Sequence, residues 1–543
     1  MAHWINQSCM VNRLRWSWRY WITFAIALLS INFSGCVQFS MQVTQPHELH
    51  SSQLSKFIPD QSLFVALVSP FSVSRDWYHS NLLAPLSLTA TSVLSAFSID
   101  FNQDVRPWLG DDIAFAVIDK DFDRNRRNGR QAGYLLVVDA SDGNILREFL
   151  QLFWQRQSLL GAQPVLAEVS GVPIVAGWVD HGSRKLATAV VGGSTLLVAN
   201  DVKVLLESLR VAQVPDLQLQ KHKYDATTWI SLHVPEFFDW LGIATPQKLS
   251  LMSVAQLQQL TAAIDLYPER LEISTALTGL DTDLVLSESV EAFSTFHADG
   301  PSQYLPDSVA WAAVGCDLQP LWTSIKSELS NYQKLPSSLQ QGQQWLSTQL
   351  AQALLQPLAQ LLANDYAVGQ LDNGDGLMAV RASNSMMVDQ LDDIAKQQGL
   401  TISRLMLEGQ PVILWSRLKT RVDFSNRETT VETDVVGAHT KIDDYHIFAT
   451  SLSSLAIALE APVHKLAASK RFQRTLQLLD ISNQGYIYGT WSDLERLLAS
   501  NRWFSLVKPI VQPWSQAIDA IAITSYGQTA DQLTGAISIL LKS

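Results

Sequence analysis

The chain has 543 residues, of which 47% are apolar and 17% charged, and its net charge is −12. This length predicts several domains, and the apolar content excludes a wholly disordered chain. An acidic surface repels phosphate backbones, so no nucleic-acid partner is expected. The three cysteines, Cys9, Cys36 and Cys316, are too few for a disulfide framework or a four-cysteine zinc site.

The first residues predict a targeting segment. Arg13, Arg15 and Arg19 precede the apolar run 21–31, and no acidic residue occurs before Glu48. A basic region followed by a short apolar run is typical of a secretory signal, and the run is shorter than the roughly 20 residues of a comfortable membrane span. Residues 1–35 are therefore interpreted as a signal peptide or an uncleaved signal anchor.

The end of this segment bears on the way the chain is attached. Phe33-Ser34-Gly35-Cys36 resembles the bacterial lipoprotein processing box, which would make Cys36 the lipidated first residue of the mature chain. Residues 36–56 then form a polar tether. In the alternative, a signal anchor, Cys36 is only a small apolar residue. Both interpretations attach the protein to a membrane by an N-terminal lipid or helix. Both also place its body outside the cytoplasm, in a periplasm or thylakoid lumen, because the arginines stay on the cytoplasmic side.

The body shows an internal repeat. The segment that begins at Phe57-Ile58-Pro59-Asp60 has a counterpart that begins at Tyr304-Leu305-Pro306-Asp307, and further matches follow in the same order. We interpret the body as a tandem duplication of a unit of about 240 residues, within the usual range of domain sizes. The first unit is expected at 57–290, a junction at 291–303 and the second unit at 304–543.

Each unit is expected to have an α+β fold with antiparallel sheets and packed helices. Short apolar runs such as 113–118 and 134–138 predict strands, and Ile145 with Phe149 and Phe153 marks one face of a helix. Gly192-Gly193, like other glycine-containing segments between the runs, is typical of hairpins, which join only antiparallel strands. A further helix, rich in Gln and Leu, is expected at 339–362.

The candidate catalytic and metal-binding patterns in the sequence lack residues that such sites require. Asp119, Asp121 and Asp123 begin like a calcium loop, but the positions that should hold glycine and glutamate hold arginines, so a solvated hairpin is the better interpretation. Adjacent acids are interpreted as turns or helix caps. Cys316 is interpreted as a small buried residue. No catalytic, cofactor-binding or metal-binding residue is singled out, and Cys36 remains the predicted modification site. The adjacent acids are Asp111-Asp112, Asp392-Asp393 and Asp443-Asp444.

The tryptophans of the body mostly lie in apolar patterns, for which burial in the core is the default expectation. A groove for a lipid, a pigment or a hydrophobic peptide would use the same residue type. Those considered are Trp154, Trp178, Trp229, Trp240, Trp311, Trp322, Trp415, Trp491, Trp503 and Trp514.

The order of three motifs resembles an uncharacterised cyanobacterial family, catalogued as domain of unknown function 3352. The motifs are Pro59-Asp60, the stretch from Asp104 to Asp111, and the turn Gly171-Val172-Pro173. The resemblance covers nearly all of 57–543 and implies a cell-envelope or membrane-associated protein, without supplying an activity. The second unit departs from the pattern, because 362–365 replaces Trp-Leu-Gly-Asp.

The sequence favours a membrane-tethered, extracytoplasmic protein that acts as a non-enzymatic binding or assembly module, with an envelope protein or a hydrophobic ligand as possible partner. Two alternatives remain open. One is a carrier or chaperone for a hydrophobic ligand held between sheet and helices, and the other is a hydrolase with an unfamiliar site. No cofactor is expected.

Overall fold

The computed structural model describes residues 53–68, 99–125, 130–179, 184–219, 226, 228–240, 258–267, 269–278, 300–316, 364–381, 386–423, 428–477, 479, 485–498, 515–528 and 532–542. These residues belong to two compact units. The N-terminal unit comprises Phe39–Leu249 and Ser253–Asp281, and the C-terminal unit consists mainly of Thr282–Ser543. The segments expected to hold the signal and the helix 339–362 lie outside the described residues, as do most of the expected tether and junction. The described end of the tether, 53–56, belongs to a 3-10 helix in which Leu54 is buried, and that of the junction, 301–303, belongs to the 3-10 helix Pro301–Tyr304.

The described part of the N-terminal unit is built from short strands and three α-helices. A 3-10 helix, Gln53–Phe57, precedes the first strand, and a π-helical turn, Phe101–Val105, precedes the second. The strands and helices are, in chain order, β1 (Phe64–Val68), β2 (Leu109–Asp119), β3 (Gly133–Ala140), α1 (Gly143–Leu159), β4 (Val165–Val169), β5 (Val172–Val179), β6 (Arg184–Val191), β7 (Thr195–Ala199), α2 (Val202–Gln213), β8 (Thr228–His233), α3 (Val234–Trp240), β9 (Gln259–Tyr267) and β10 (Arg270–Thr278).

The strands of this unit form one antiparallel sheet in the order β10-β9-β8-β1-β2-β3-β7-β6-β5-β4. Strand β4 lies at one edge, since β5 is its partner among the described strands. Successive side chains of a strand point to opposite faces, so both faces of the sheet need cover. Leu197 packs with α2 on one face, and its neighbour Leu196 packs with α1 on the other.

The described part of the C-terminal unit repeats this alternation of hairpins and helices. Its elements are β11 (Val309–Gly315), β12 (Tyr366–Leu371), β13 (Gly376–Arg381), α4 (Met386–Gln397), β14 (Thr401–Leu407), β15 (Gln410–Asp423), β16 (Glu428–Ile442), β17 (Tyr445–Ala449), α5 (Leu452–Glu460), α6 (Lys470–Leu476), β18 (Gly485–Thr490), α7 (Trp491–Leu498), β19 (Ile518–Gln528) and β20 (Gln532–Leu541).

The C-terminal strands are also antiparallel, in the order β20-β19-β18-β11-β12-β13-β17-β16-β15-β14. Helix α4 covers one face, where Phe448 of β17 packs against Leu391. Helix α5 covers the other face, where Ile447 of the same strand packs with Leu455. Each unit is thus a sheet between helices.

Tight turns with positive φ join the hairpins, as the glycine pattern predicts. Ser170 (φ 54°) and Gly171 (φ 78°) join β4 to β5, and Glu408 (φ 50°) and Gly409 (φ 75°) join β14 to β15. Positive φ at both central residues matches the right-handed twist of paired strands. The prolines of the Gly-x-Pro segments lie inside β5 and β15, so the turns end one residue earlier than the motif suggests.

The expected fold class, α+β with antiparallel sheets and packed helices, is confirmed. Among the described residues, no helix has the length and apolar character needed to cross a membrane. The interpretation of Cys316 as a buried residue is wrong, because this residue is partly exposed just after β11 ends.

Candidate functional site

Helix α1 forms one wall of the candidate site, and its two ends are fixed by local hydrogen bonds. Asp142 has extended backbone and accepts hydrogen bonds from the backbone N–H groups of Asn144 (2.8 Å) and Ile145 (3.2 Å), which caps the first turn. At the other end Gly161 has a φ of 94°, and Ala162 N–H donates to the carbonyl of Gln157 at 2.9 Å. A left-handed glycine with such a back-bond ends a helix.

The helix buries one face and leaves another open. Leu146 and Phe153 are buried against the sheet, as the apolar stripe predicts, although Ile145 from the same stripe is 39% exposed. Gln151, Gln155 and other exposed residues recur three or four positions apart and share a second face. This second face borders a groove.

The groove has a volume of about 860 Å³ and lies between α1 and the strands β4, β5 and β6. Most of its lining is apolar. The lining residues are Arg147, Leu150, Gln151, Trp154, Gln155, Ser158, Leu159, Pro164, Leu166, Pro173, Val175, Thr188, Ala189, Val190 and Gly193.

Trp154 anchors α1 to the floor of the groove. Its indole nitrogen donates to the Thr188 hydroxyl at 2.9 Å, and the Thr188 hydroxyl donates to the Val175 carbonyl at 3.4 Å. A Cβ atom added to Gly177 would lie 3.3 Å from the Trp154 ring, so the glycine gives the indole room against β5. The polar groups of the floor therefore bond to each other, and the surface offered to a ligand is apolar.

Arg147 supplies the positive charge of the groove. The residue is exposed, and its guanidinium donates to the Asn144 side chain at 3.1 Å. No carboxylate of the described residues forms an ion pair with it. A guanidinium stays protonated at any physiological pH and donates to carboxylate or phosphate oxygens.

The C-terminal unit contains a buried polar cluster where α4 meets the sheet. Asp392 accepts hydrogen bonds on Oδ1 from the indole of Trp415 at 2.6 Å and from Nε2 of His439 at 3.0 Å. Burial raises the pKa of Asp392, but the hydrogen bonds from His439 and Trp415 outweigh burial and hold the pKa below its ordinary value. The cluster links the helix to β15 and β16.

His446 lies near this cluster and is 5% exposed. Neither ring nitrogen has a hydrogen-bond partner among the described residues. Burial lowers the pKa of His446 to about 4, and the charges of Lys441 and His439 act in the same direction, while Asp389 opposes them. The imidazole is therefore neutral at physiological pH.

Among the described residues, no nucleophilic side chain is hydrogen-bonded to this cluster. Ser416 is buried on the strand that carries Trp415, and its hydroxyl donates to the Thr401 carbonyl at 3.4 Å. No group of three or more ligating side chains suited to a metal ion occurs in the described ranges. The cluster serves to hold α4 on the sheet.

A second, polar pocket of about 540 Å³ lies in the C-terminal unit, near the starts of α6, α7 and β19. Its lining is mainly acidic, with Asp307, Asp372, Asp493, Glu495 and Asp519 against the basic residues Arg471 and Lys542. Arg471 pairs with Asp519 at 3.0 Å, and Arg496 pairs with Asp493 at 2.8 Å. In both pairs the arginine is exposed, so each contributes little energy, and the remaining acidic residues give the pocket a negative lining that does not suit an anionic ligand.

A family model described as "Protein of unknown function (DUF3352)" matches residues 22–542. The chain belongs to this family. No curated protein matches it. Solved structures with some likeness include crystal forms IV, III and I of TP0453, which are 10%, 10% and 8% identical to the chain, with TM-scores of 0.24, 0.24 and 0.25. They cover 43%, 47% and 46% of this chain and 81%, 84% and 82% of their own. Similarity at this level carries no argument about fold or function.

In this DUF3352 chain, the segment 119–125, which the sequence predicts to be a solvated hairpin and not a calcium loop, forms hydrogen bonds with its own backbone. Asp119 and Asp123 accept from backbone N–H groups of Asp121 (2.8 Å) and Asn125 (3.0 Å), as in turns. The basic residues Lys120 and Arg130 bind Asp239 of α3 at 2.7 and 3.0 Å. Their hydrogen bonds lower the pKa of Asp239.

Not all of the adjacent acidic residues lie in turns or at helix caps, where the sequence predicts them. Asp443-Asp444 form the turn between β16 and β17, as expected. The expectation is wrong for Asp111-Asp112, which lie inside β2, and for Asp392-Asp393, which lie inside α4. The Asp392 carboxylate can be buried at this position because Trp415 and His439 donate hydrogen bonds to it.

The expectation that the tryptophans are buried in the core is likewise correct for only some of them. Trp154, Trp229, Trp311 and Trp491 are buried, as expected. Core burial is wrong for Trp178, which is 51% exposed on β5, whereas Trp240 and Trp415 are half-buried. Trp322, Trp503 and Trp514 lie outside the described residues, as does Cys36. Sequence reasoning missed the groove, although the exposed apolar residues that follow α1 were a usable signal for it.

Proposed function

We propose that this protein is a membrane-tethered, extracytoplasmic binding protein whose N-terminal unit holds the apolar chain of an anionic, single-chain amphiphile. The observation that carries this proposal is the apolar groove of about 860 Å³ beside α1, with Arg147 among its lining residues. A mostly apolar concavity with a few placed polar groups is the usual form of a small-molecule site.

The dimensions of the groove suit an extended chain. Its lining residues on α1 run from Arg147 to Leu159. At 1.5 Å per helical residue this span is about 18 Å long. Val175, Ala189 and Leu166 are among the apolar groups that a ligand would cover. Burial of apolar surface contributes about 25 cal/mol per Å², which is the driving force for such a ligand.

The charge of the groove selects the head group. Arg147 lies one turn into α1, at the end of the groove away from Leu159. A carboxylate or phosphate head there would accept hydrogen bonds from the guanidinium, while the tail follows the helix towards Leu159. Because arginine does not exchange protons at physiological pH, this lining favours binding over acid–base catalysis.

The site is already formed in the structure. The Trp154 indole is bonded to Thr188 at 2.9 Å, and both ends of α1 are capped, so little has to be ordered when a ligand enters. A preformed site loses less conformational entropy on binding than a flexible one.

The membrane tether belongs to the same proposal. Arg13, Arg15 and Arg19 ahead of the apolar run 21–31 support an N-terminal membrane segment, and the processing box supports lipidation of Cys36. The body would then lie in a periplasm or thylakoid lumen. We further propose that the two units arose by duplication, which the shared order of their strands supports.

Ligand binding can be measured with dansyl-undecanoic acid, a fluorescent single-chain carboxylic acid. The full chain should bind this probe with enhanced, blue-shifted emission, and palmitate should displace it. Gln151→Trp, which puts an indole into the groove, should weaken binding at least about tenfold, or about 1.4 kcal/mol. The matched control is Leu152→Trp, because Leu152 is exposed on α1 but does not line the groove.

The head-group assignment needs its own pair of variants. Arg147→Gln should weaken competition by palmitate several-fold and leave competition by the uncharged hexadecanol unchanged. Arg156→Gln is the control, since Arg156 lies on the same helix, pairs with Asp104 at 3.5 Å and does not line the groove. Equal binding by the wild-type chain and Gln151→Trp would refute the groove as the site. Equal loss for both competitors would refute the role of Arg147.

A further inference from the structure

The connection between α1 and β4 is free of charge. From Gln157 to Ala167 the chain has no acidic or basic residue, whereas Arg156 precedes and Glu168 follows this stretch. The connection is also firmly shaped, because Leu160 and Ala162 donate backbone hydrogen bonds into the last turn of α1. It therefore presents its side chains in fixed positions.

Four large apolar side chains of this connection face solvent, and we call them the apolar tip. Leu159 is 89% exposed, Leu160 42%, Val165 66% and Leu166 75%. Leu159 and Leu166 border the groove, whereas Val165 points to the other face of the edge strand β4, so the tip presents apolar side chains on both sides of this edge. Single exposed apolar residues are common, but a contiguous exposed cluster marks an interaction surface.

Trp178 lies beside the apolar tip. Its side chain points to the face of the sheet opposite the groove, the same face as Val165, which pairs with Ala176 two residues before Trp178. The Trp178 side chain is 51% exposed, and the ammonium of Lys185 lies 5.2 Å from its ring centre while also pairing with Asp201 at 3.1 Å. An exposed indole next to a cation is typical of side chains at the level of lipid head groups.

We infer that the apolar tip docks into a lipid bilayer. Leucine and valine side chains at a helix end and the first residues of an edge strand can enter the boundary between head groups and acyl chains, where water still reaches the open backbone groups of the edge. The net charge of −12 holds most of the body away from anionic lipids, so an uncharged tip is the surface that can approach. A zwitterionic bilayer is therefore the partner that fits its charge.

The chain length that precedes the N-terminal unit agrees with this partner. Seventeen residue steps separate Cys36 from Gln53, the first described residue, which spans at most about 60 Å when fully extended. The distance that the chain can span depends on the proposed tether, whereas the exposure of the tip and its lack of charge are independent of the tether. The tip lies at the groove, so docking would place the groove beside the source of its ligand.

Site-specific fluorescence tests the inference on the full chain. Single cysteines labelled with the environment-sensitive dye NBD are placed by Leu159→Cys, Leu166→Cys or Val463→Cys, in a chain with Cys9, Cys36 and Cys316 replaced by serine. Val463 is the matched control, being 77% exposed and in the C-terminal unit. The protein is mixed with phosphatidylcholine vesicles that contain lipids with a doxyl quencher on the acyl chain.

We expect the labels at 159 and 166 to shift to the blue and to be quenched at least about threefold more strongly than the label at 463. Equal quenching at all three positions, or none, would overturn the inference. Flotation of the protein with vesicles but without selective quenching would assign vesicle binding to the N-terminal apolar run and overturn the inference about the tip. Selective quenching when residues 1–35 are deleted would support the tip even if the tether failed.

A second copy of the chain is the competing occupant of the tip. If the label at 159 shifts to the blue with rising protein concentration and without vesicles, the tip is covered by self-association and the bilayer assignment is wrong. A label that responds to vesicles and not to protein concentration supports it.

Discussion

The Trp154 indole donates to the Thr188 hydroxyl at 2.9 Å, and this bond joins α1 to β6 beneath the groove. Both residues are buried, so the bond has no ready replacement from solvent. It keeps the helix at a fixed separation from the sheet, and the groove exists because of that separation.

Thr188→Val should destabilise the N-terminal unit by about 1–3 kcal/mol, because the Trp154 N–H loses its acceptor in the interior. Urea unfolding followed by tryptophan fluorescence measures this change. Thr188→Ser keeps the hydroxyl and should cost less. If the valine variant were as stable as the wild type, the bond would not be holding α1 in place.

Asp392→Ala should destabilise the C-terminal unit by about 2–4 kcal/mol, because the Trp415 and His439 donors lose a charged acceptor in the interior. The neighbouring Asp393→Ala is the control. Asp393 is exposed and pairs with Lys396, one helical turn away at 3.0 Å, so its loss should cost less than about 0.5 kcal/mol. Equal effects in urea unfolding would contradict the role given to Asp392.

The stability of the C-terminal unit should fall in acid because of His446. Its pKa is lowered from 6.5 to about 4 in the folded state, so the unfolded chain binds the proton first as the pH falls. The contribution of the neutral histidine is complete above about pH 6.5, declines below that pH and is lost by about pH 4. The difference of about 2.5 between the two pKa values corresponds to a total loss of about 3.4 kcal/mol.

His446→Leu should flatten this dependence between pH 6.5 and 4, as measured by urea unfolding at a series of pH values. His464→Leu is the control, because His464 is exposed. The lowered pKa of Asp392 acts in a different window, since that carboxylate loses its contribution only below its ordinary value of 3.8. An unchanged pH profile in His446→Leu would show that the buried imidazole is not the responsible group.

Cys36→Ala should abolish both signal processing and incorporation of radiolabelled palmitate if the lipoprotein box is used. Cys9→Ala, in the same N-terminal segment, should leave both unchanged. Processing that continues in the Cys36→Ala chain would favour ordinary signal cleavage, and an uncleaved chain in the wild type would favour the signal anchor. Mass spectrometry of the protein extracted from membranes distinguishes these outcomes.

Much of the fold could be predicted from the sequence, because the signals are local. Gly192 and Gly193 both have positive φ in the β6–β7 turn, and Asp142 caps α1 through its own next residues. Turn and cap chemistry of this kind depends on a few neighbouring residues. The antiparallel α+β class follows from such hairpins, since a tight turn cannot join parallel strands.

The candidate sites could not be predicted, because the residues that form each site are far from one another in the sequence. Asp392 is separated from Trp415 by 23 residues and from His439 by 47. From the sequence alone the adjacent acids Asp392-Asp393 therefore resemble a helix cap. Their place inside α4 is understood only once the strands that pack against this helix are known. The exposure of Trp178 likewise depends on its place near the edge of the sheet, which the apolar pattern around it does not reveal.

Leu196 and His446 have corresponding neighbours in their two sheets. Leu196 pairs with Val138 and Val190, and His446 pairs with Val380 and Lys441. Protonation of His446 therefore acts on the C-terminal unit and has no counterpart at the corresponding position, Leu196. In acid the C-terminal unit would loosen at His446, whereas the N-terminal unit, with a leucine at the corresponding place, would not respond there.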